Sequence, residues 1–235
     1  MRCSLVVAIA AGAIALAGPS QAALPFAENF NESAENWRTA AGAVNANWVA
    51  TAGPDGGPYI SNTFANFDPP PSPFPGGSSS SIVFRAQEEY GGVGSSDGEY
   101  VGNWLTAGIK VVTAWVRHSA GVPVAYNFRF ADPNNSPGAS YETQSVPSDV
   151  WTKLTIDVSP TSAQVLTYGG PGQTHSTVFD NIGHIQVSAV EPAGWSAATV
   201  VFDLDRVTVS VPEPSSLAMA GLALAGAAVA IRRRG

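Results

Sequence analysis

The sequence predicts an all-β protein, a two-sheet antiparallel sandwich, on three observations. Short segments in the middle of the chain alternate apolar and polar residues with a period of two, as in Tyr126-Asn127-Phe128-Arg129-Phe130. No stretch there sustains the 3.6-residue apolar period of an amphipathic helix. Between the segments lie breaks with turn chemistry, such as Gly53-Pro54-Asp55-Gly56-Gly57 and Gly169-Gly170-Pro171-Gly172. Many short strands punctuated in this way bury their apolar faces by packing sheet on sheet.

Taken in order, the 235 residues open with a segment that does not belong to the fold. Arg2 supplies a positive start, Leu5 to Ala17 an uncharged apolar run, and Ser20-Gln21-Ala22 small residues before a cleavage point. As a helix the run spans about 20 Å, too short for a hydrocarbon core of about 30 Å. Residues 1–22 therefore read as a secretory signal peptide forming a signal helix, cut by signal peptidase after Ala22 or Ala23. Cleavage removes Cys3, the one cysteine. The exported chain then has no disulfide, thiolate metal site or cysteine nucleophile.

Residues 23–211 are long enough for one domain with its own core. Alternation marks strands at 126–130, 151–158 and 184–190, with Leu154, Ile156 and Val158 facing inward in the second of these. Denser apolar runs at 81–86, 109–118 and 164–168 suit strands buried on both faces. Asp68 to Gly77, rich in proline, is followed by four serines. Only about 45 residues precede it, too few for a separate β core, so it reads as a long surface loop.

Seven basic side chains (Arg38, Arg85, Lys110, Arg117, Arg129, Lys153 and Arg206) face 17 of the chain's 18 carboxylates in this domain, a balance of −10. No cluster of Lys and Arg is visible along residues 23–211, which excludes a nucleic-acid partner. On this balance a neutral ligand or a cation suits the domain better than a polyanion.

Three pieces of the domain carry a family resemblance. Phe26-Ala27-Glu28-Asn29-Phe30 with Glu35-Asn36-Trp37, then Thr113 to Arg117 with Trp151 to Leu154, then Phe202 to Val209 resemble the opening, middle and closing strands of carbohydrate-binding-module-like jelly rolls. The resemblance implies a jelly-roll β-sandwich. It also implies a structural calcium ion held by Glu28 with either Asp203 or Asp205, completed by backbone carbonyls or water to six to eight oxygens. The alternative is that these carboxylates are solvated or paired with Arg206. The closing strand adds a hint of its own. Phe202 and Leu204 are apolar on one parity, Val207, Val209 and Val211 on the other, which requires a bulge near Asp205 and Arg206.

No catalytic constellation is recognisable. Glu88, Glu89, Asp97 and Glu99 form the densest acidic cluster, but adjacent Glu88 and Glu89 would point to opposite faces of a strand. The Glu-x-Asp-x-x-Glu pattern of laminarinase-like sandwich enzymes is absent, as are a Gly-x-Ser-x-Gly elbow and a paired-histidine metal motif. His118, His175 and His184 read as satisfied or exposed. A sugar site would instead use an aromatic platform and converging polar groups. Trp48, Tyr59, Tyr90, Tyr100, Trp104 and Trp195 are the platform candidates. Asn127 with Arg129, and His184 with Gln186 and Ser188, are either polar strand faces of such a site or plain solvent-facing sheet.

Residues 212–235 again leave the fold. Pro212-Glu213-Pro214 precedes a weakly apolar stretch, Leu217 to Ile231, about 22 Å long as a helix. Arg232, Arg233 and Arg234 would keep its end cytoplasmic. This order closely resembles the PEP-CTERM sorting signals of bacteria that make exopolysaccharide. It implies processing by an exosortase, transient membrane anchoring by the C-terminal hydrophobic helix, and release to the cell surface or matrix. The sequence thus points to an exported, non-catalytic, biofilm- or exopolysaccharide-associated protein that binds extracellular polysaccharide. The alternative is a polysaccharide hydrolase or lyase on the same fold, using Asp97 and Glu99 or Glu88.

Overall fold

The computed structural model describes residues 25–39, 44–64, 80–89, 92–162, 166–170, 172–190, 192 and 199–211. The signal peptide at 1–22, the proline-rich segment 68–77, Tyr90, Trp195 and the tail at 212–235 lie outside the described residues. Among the described residues no helix is long and apolar enough to cross a membrane.

Eleven strands are described: β1 (Phe26–Glu28), β2 (Asn47–Val49), β3 (Tyr59–Phe64), β4 (Ser80–Gln87), β5 (Val111–His118), β6 (Tyr126–Ala131), β7 (Gly138–Glu142), β8 (Thr152–Asp157), β9 (Leu166–Tyr168), β10 (His184–Val190) and β11 (Val200–Ser210). Sheet A has the order β2-β3-β11-β5-β8, with β1 also on β11, and sheet B the order β4-β10-β6-β7-β9. Every pairing is antiparallel. The eight strands β3-β11-β5-β8 over β4-β10-β6-β7 interleave as two Greek keys, which is the jelly roll expected from the opening and closing motifs.

Alternation places the core. Val112, Ala114 and Val116 of β5 face Tyr126, Phe128 and Phe130 of β6 across the sandwich, and all six are fully buried. The run at 109–118, expected to be buried on both faces, instead alternates half-buried and buried residues through β5, because Trp115 and Arg117 lie on the outer face of sheet A. Two single-turn helices escaped the sequence, since four or five residues cannot display a helical period. They are α1 (Trp104–Ala107), capped by Asn103, and α2 (His175–Phe179), capped by Thr174.

The expected bulge is present. The register of β11 against β5 shifts between Asp205 and Thr208, and Arg206 has φ 49°. The shift lets Phe202, Leu204, Val207 and Val209 all face the core with no exposure. On its other edge β11 pairs with β3 at residues 200–204 and with β1 at 207–209. The bulge therefore sits where one neighbour ends and the next begins.

Candidate functional site

Three regions gather the polar chemistry of the domain. The first is at the bulge. Glu28 stands opposite Val207 and its carboxylate accepts a hydrogen bond from the Phe30 amide at 2.6 Å. Burial raises its pKa, the Ser96 hydroxyl and the Phe30 amide act the other way, and the charge of Glu35 adds to the rise. Asp205 is 2% exposed. Burial pushes it up to about 6, opposed by the Arg206 amide and reinforced by the charge of Glu28. Arg206 approaches Asp205 at 3.8 Å, but its closer partner is Asp55.

Calcium can be tested against this geometry. Two carboxyls that burial pushes up, with the charge of Glu28 adding to the rise at Asp205, are what a divalent cation relieves, so Glu28 and Asp205 suit one. Asp203 does not join them. It accepts from Arg117 Nε at 2.8 Å on the outer face of sheet A, opposite Arg117 in the register. Among the described residues no group of three or more His, Cys, Asp or Glu side chains could hold a metal. A cation at the bulge would draw its remaining ligands from backbone carbonyls and water.

A cleft of about 300 Å³ opens beside Glu28, lined also by Glu32, Glu35, Asp97 and Glu99. Asp97 and Glu99, the acidic pair read from the sequence, thus come together with the first strand. Glu88 is exposed and does not line the cleft.

The second region is the outer face of sheet A. The Arg117 guanidinium lies 4.7 Å from the Trp151 ring and 5.3 Å from Tyr59, and donates to the Tyr59 hydroxyl at 3.1 Å. Tyr59 and Trp151 meet edge to face, and the Trp151 indole donates to the Ala52 carbonyl. Cation, rings and one carboxylate oxygen engage one another here, while Asp203 Oδ1 is buried without a hydrogen-bond partner.

The third region is the outer face of sheet B. Here the two polar sets read from the sequence prove to be neighbours: Gln186 pairs with Arg129 and Ser188 with Asn127. They are not plain solvent-facing sheet, because His184, Gln186 and Ser188 are all buried. Part of the cover is the β6–β7 loop. Arg129 donates to Gln186 Oε1 at 3.1 Å and to the Asn135 carbonyl at 2.6 Å. Gln186 donates to Asn135 Oδ1 at 3.1 Å, and His184 Nδ1 to the Asp132 carbonyl at 2.6 Å. A Cβ at Gly183 would come within 2.7 Å of Pro133 Cα, so glycine there lets the loop close on the strand.

The aromatic candidates divide. Tyr100 and Trp104, expected near a ligand, are fully buried core residues. Trp104 packs 5.5 Å from Phe130 and 5.9 Å from Phe179, because α1 turns it inward. Trp48 is 37% exposed and anchors its indole on the Phe30 carbonyl at 2.7 Å. His118 is a satisfied core histidine: Nδ1 accepts from the Ala120 amide and Nε2 faces the Val146 carbonyl. His175 reaches the Val158 carbonyl and stacks on Phe179.

Comparison with known proteins adds the ends of the argument. Residues 210–234 match the PEP-CTERM protein-sorting motif, which implies export, a membrane-anchored sorting tail and processing by an exosortase. No curated protein matches the chain. Solved structures similar in fold include the carbohydrate-binding module CtCBM11, at 14% identity and TM-score 0.44, covering 82% of this chain and 99% of that one. The Bacillus licheniformis β-glucanase is 14% identical, with TM-score 0.37, covering 79% and 97%. The CBM22-1–GH10 modules of Clostridium thermocellum endo-1,4-β-D-xylanase 10B are 12% identical, with TM-score 0.41, and the match covers 79% of this chain but 28% of that one. The jelly-roll assignment rests on the chain's own strand order.

Proposed function

We propose that the chain is an exported, non-catalytic glycan-binding protein of the cell surface or extracellular matrix. The observation that carries this reading is the outer face of sheet B. There the half-buried Arg85 of β4 and Asn127 and Arg129 of β6 stand in register beside the buried Gln186 and Ser188 of β10. Converging hydrogen-bonding groups on a rigid sheet suit a hydroxyl-rich ligand. Signal peptidase removes residues 1–22, an exosortase processes the tail, and the domain meets extracellular polysaccharide. A glycan array probed with the exported protein tests the reading: retention on at least one glycan family is expected, and an array without a hit overturns it.

The proposal includes a structural calcium ion at Glu28 and Asp205, supported by their mutual burial. A second reading, a polysaccharide hydrolase or lyase, is favoured by the acidic cleft, where Glu28 has the raised pKa that a general acid needs. New reducing ends or unsaturated products released from a polysaccharide panel, and lost on Glu99→Gln, would establish that reading over the non-catalytic one.

A further inference from the structure

The paired ends of the domain frame a groove that the glycan-binding reading leaves unused. In the register of β1 on β11, Phe26 stands opposite Val209 and Ala27 opposite Thr208. The same register puts Pro25 opposite Ser210, and on the other edge of β11 Ser210 stands opposite Val111. Phe26, Val112, Val207 and Val209 are buried in the core. Their neighbours Pro25, Ala27, Val111, Thr208 and Ser210 therefore lie on the outer face of sheet A. Together with Val211 they line a groove of about 620 Å³. No charged side chain is among its lining, and Val211 is 39% exposed.

The chain itself supplies an occupant. The PEP-CTERM sorting motif begins at residue 210, so its first two residues, Ser210 and Val211, already form one wall of the groove. Pro212 and Pro214 have no amide hydrogen, so the next segment cannot carry the β11 ladder further. In an extended chain residues 212 and 214 share one face and residue 213 takes the other. Two proline rings suit an uncharged, largely apolar surface, as proline-rich segments do in recognition grooves. Glu213 does not suit it. The acidic cleft that holds Glu28, Glu32 and Glu35 shares Phe26 and Ala27 with this groove, and a carboxylate pressed inward would meet like charge there.

Lengths agree with this placement. Thr208 and Ser210 are about 7 Å apart along β11, the separation of residues 212 and 214 in an extended segment folded back beside them. Five residues, 212–216, separate Val211 from the apolar stretch that starts at Leu217, and fully extended they reach about 18 Å. A membrane-embedded peptidase acting on the motif therefore meets it close to the folded sheet.

We infer that the groove seats the chain's own Pro212-Glu213-Pro214 segment, with both proline rings against Ala27, Val111 and Thr208 and Glu213 facing out, so that the folded domain presents the sorting motif to the exosortase. The inference goes beyond glycan binding and does not depend on it.

The test uses the exported chain with its tail intact, in detergent micelles and without peptidase. A photoreactive diazirine side chain is placed at Thr208, and the products of irradiation are mapped by mass spectrometry. A chain running straight on from β11 would carry Pro214 about 20 Å away from this probe. Cross-links within one chain to residues 213–217 are expected, and Ala27→Arg, which fills the groove with a charge, should cut their yield by about fivefold or more. The double change Pro212→Ala with Pro214→Ala lies beyond the last strand and should cut the yield to the same extent, whether or not Ala27→Arg folds. In cells carrying the exosortase, Ala27→Arg with an unchanged melting temperature should slow release of the tail by about fivefold or more, while Thr155→Arg on the same face leaves release unchanged. Cross-links instead to residues 23–24, to a second chain or to detergent overturn the inference. So does a yield no higher than that of the same probe at Thr155, and so does release from a folded Ala27→Arg as fast as from the wild type.

Discussion

The bulge of sheet A and the outer row of sheet B, where Arg85 stands opposite both Arg38 and Gln186 and Gln186 opposite Arg129, both set like charges side by side, and they differ in how the stress can be relieved. Glu28 and Asp205 can take up a proton, and Asp205, at about 6, is poised to do so. The arginines cannot follow. Even with its pKa lowered to about 10, Arg129 stays charged at neutral pH. The acidic pair therefore has three escapes, a proton, a cation, or Arg206 at 3.8 Å, whereas the guanidiniums cannot shed their charge at neutral pH. Between them, Asp203 is a buried charge met by an opposite one, through a 2.8 Å bond from Arg117, whose guanidinium lies against two rings.

The matched pair sets the upper end of the scale. Arg117→Gln leaves Asp203, 4% exposed, charged in an apolar setting with one oxygen already lacking a partner. Denaturant unfolding is expected to show a loss of about 3 kcal/mol. The double change Arg117→Gln with Asp203→Asn should recover more than half of it, since the stranded charge is gone. A single change costing less than 1 kcal/mol would mean that Asp203 is not buried as a charge, and the contrast with the other two regions would lapse.

The acidic pair comes next. A carboxyl whose folded pKa lies above its ordinary value binds its proton more tightly when folded, so its contribution is fully present at low pH and is lost as pH rises toward 6. In chelator, Asp205→Asn is therefore expected to be more stable than the wild type at pH 7.5 by about 2 kcal/mol, and to lose that advantage toward pH 4. Calcium should reverse the order at pH 7.5, raising the melting temperature of the wild type and leaving Asp205→Asn unmoved. A wild-type melt that is the same in millimolar calcium and in chelator removes the cation from the bulge.

What could be read from the sequence follows the distance over which each signal travels. The bulge was legible because its cause is local: Phe202 and Leu204 lie on one parity, Val207 and Val209 on the other, within eight residues. The first and last strands were legible because their motifs are contiguous. The arginine row was not, since Arg38, Arg85 and Arg129 become neighbours only through Gln186 and the register of β10. Composition pointed the other way, because a balance of −10 averages over the surface and hides a line of three cations. Trp104 was misplaced for a related reason. A single-turn helix carries no period, so nothing in the chain announced that its ring would turn inward against Phe130.

Arg85→Gln is expected to have the smallest effect on stability, and for that reason it tests the comparison most sharply. The substitution removes a buried Nε that has no partner and a charge set directly opposite Arg38, both of which should stabilise the fold. It also removes part of a long apolar stem from the sheet surface, which should destabilise it. The two roughly cancel, so the change in unfolding free energy without ligand should lie within about 0.5 kcal/mol of zero. A loss of 2 kcal/mol or more would show that Arg85 is already satisfied within the folded chain. Arg85 would then belong with Arg117 as a matched cation, and its difference from the acidic pair would lie in geometry.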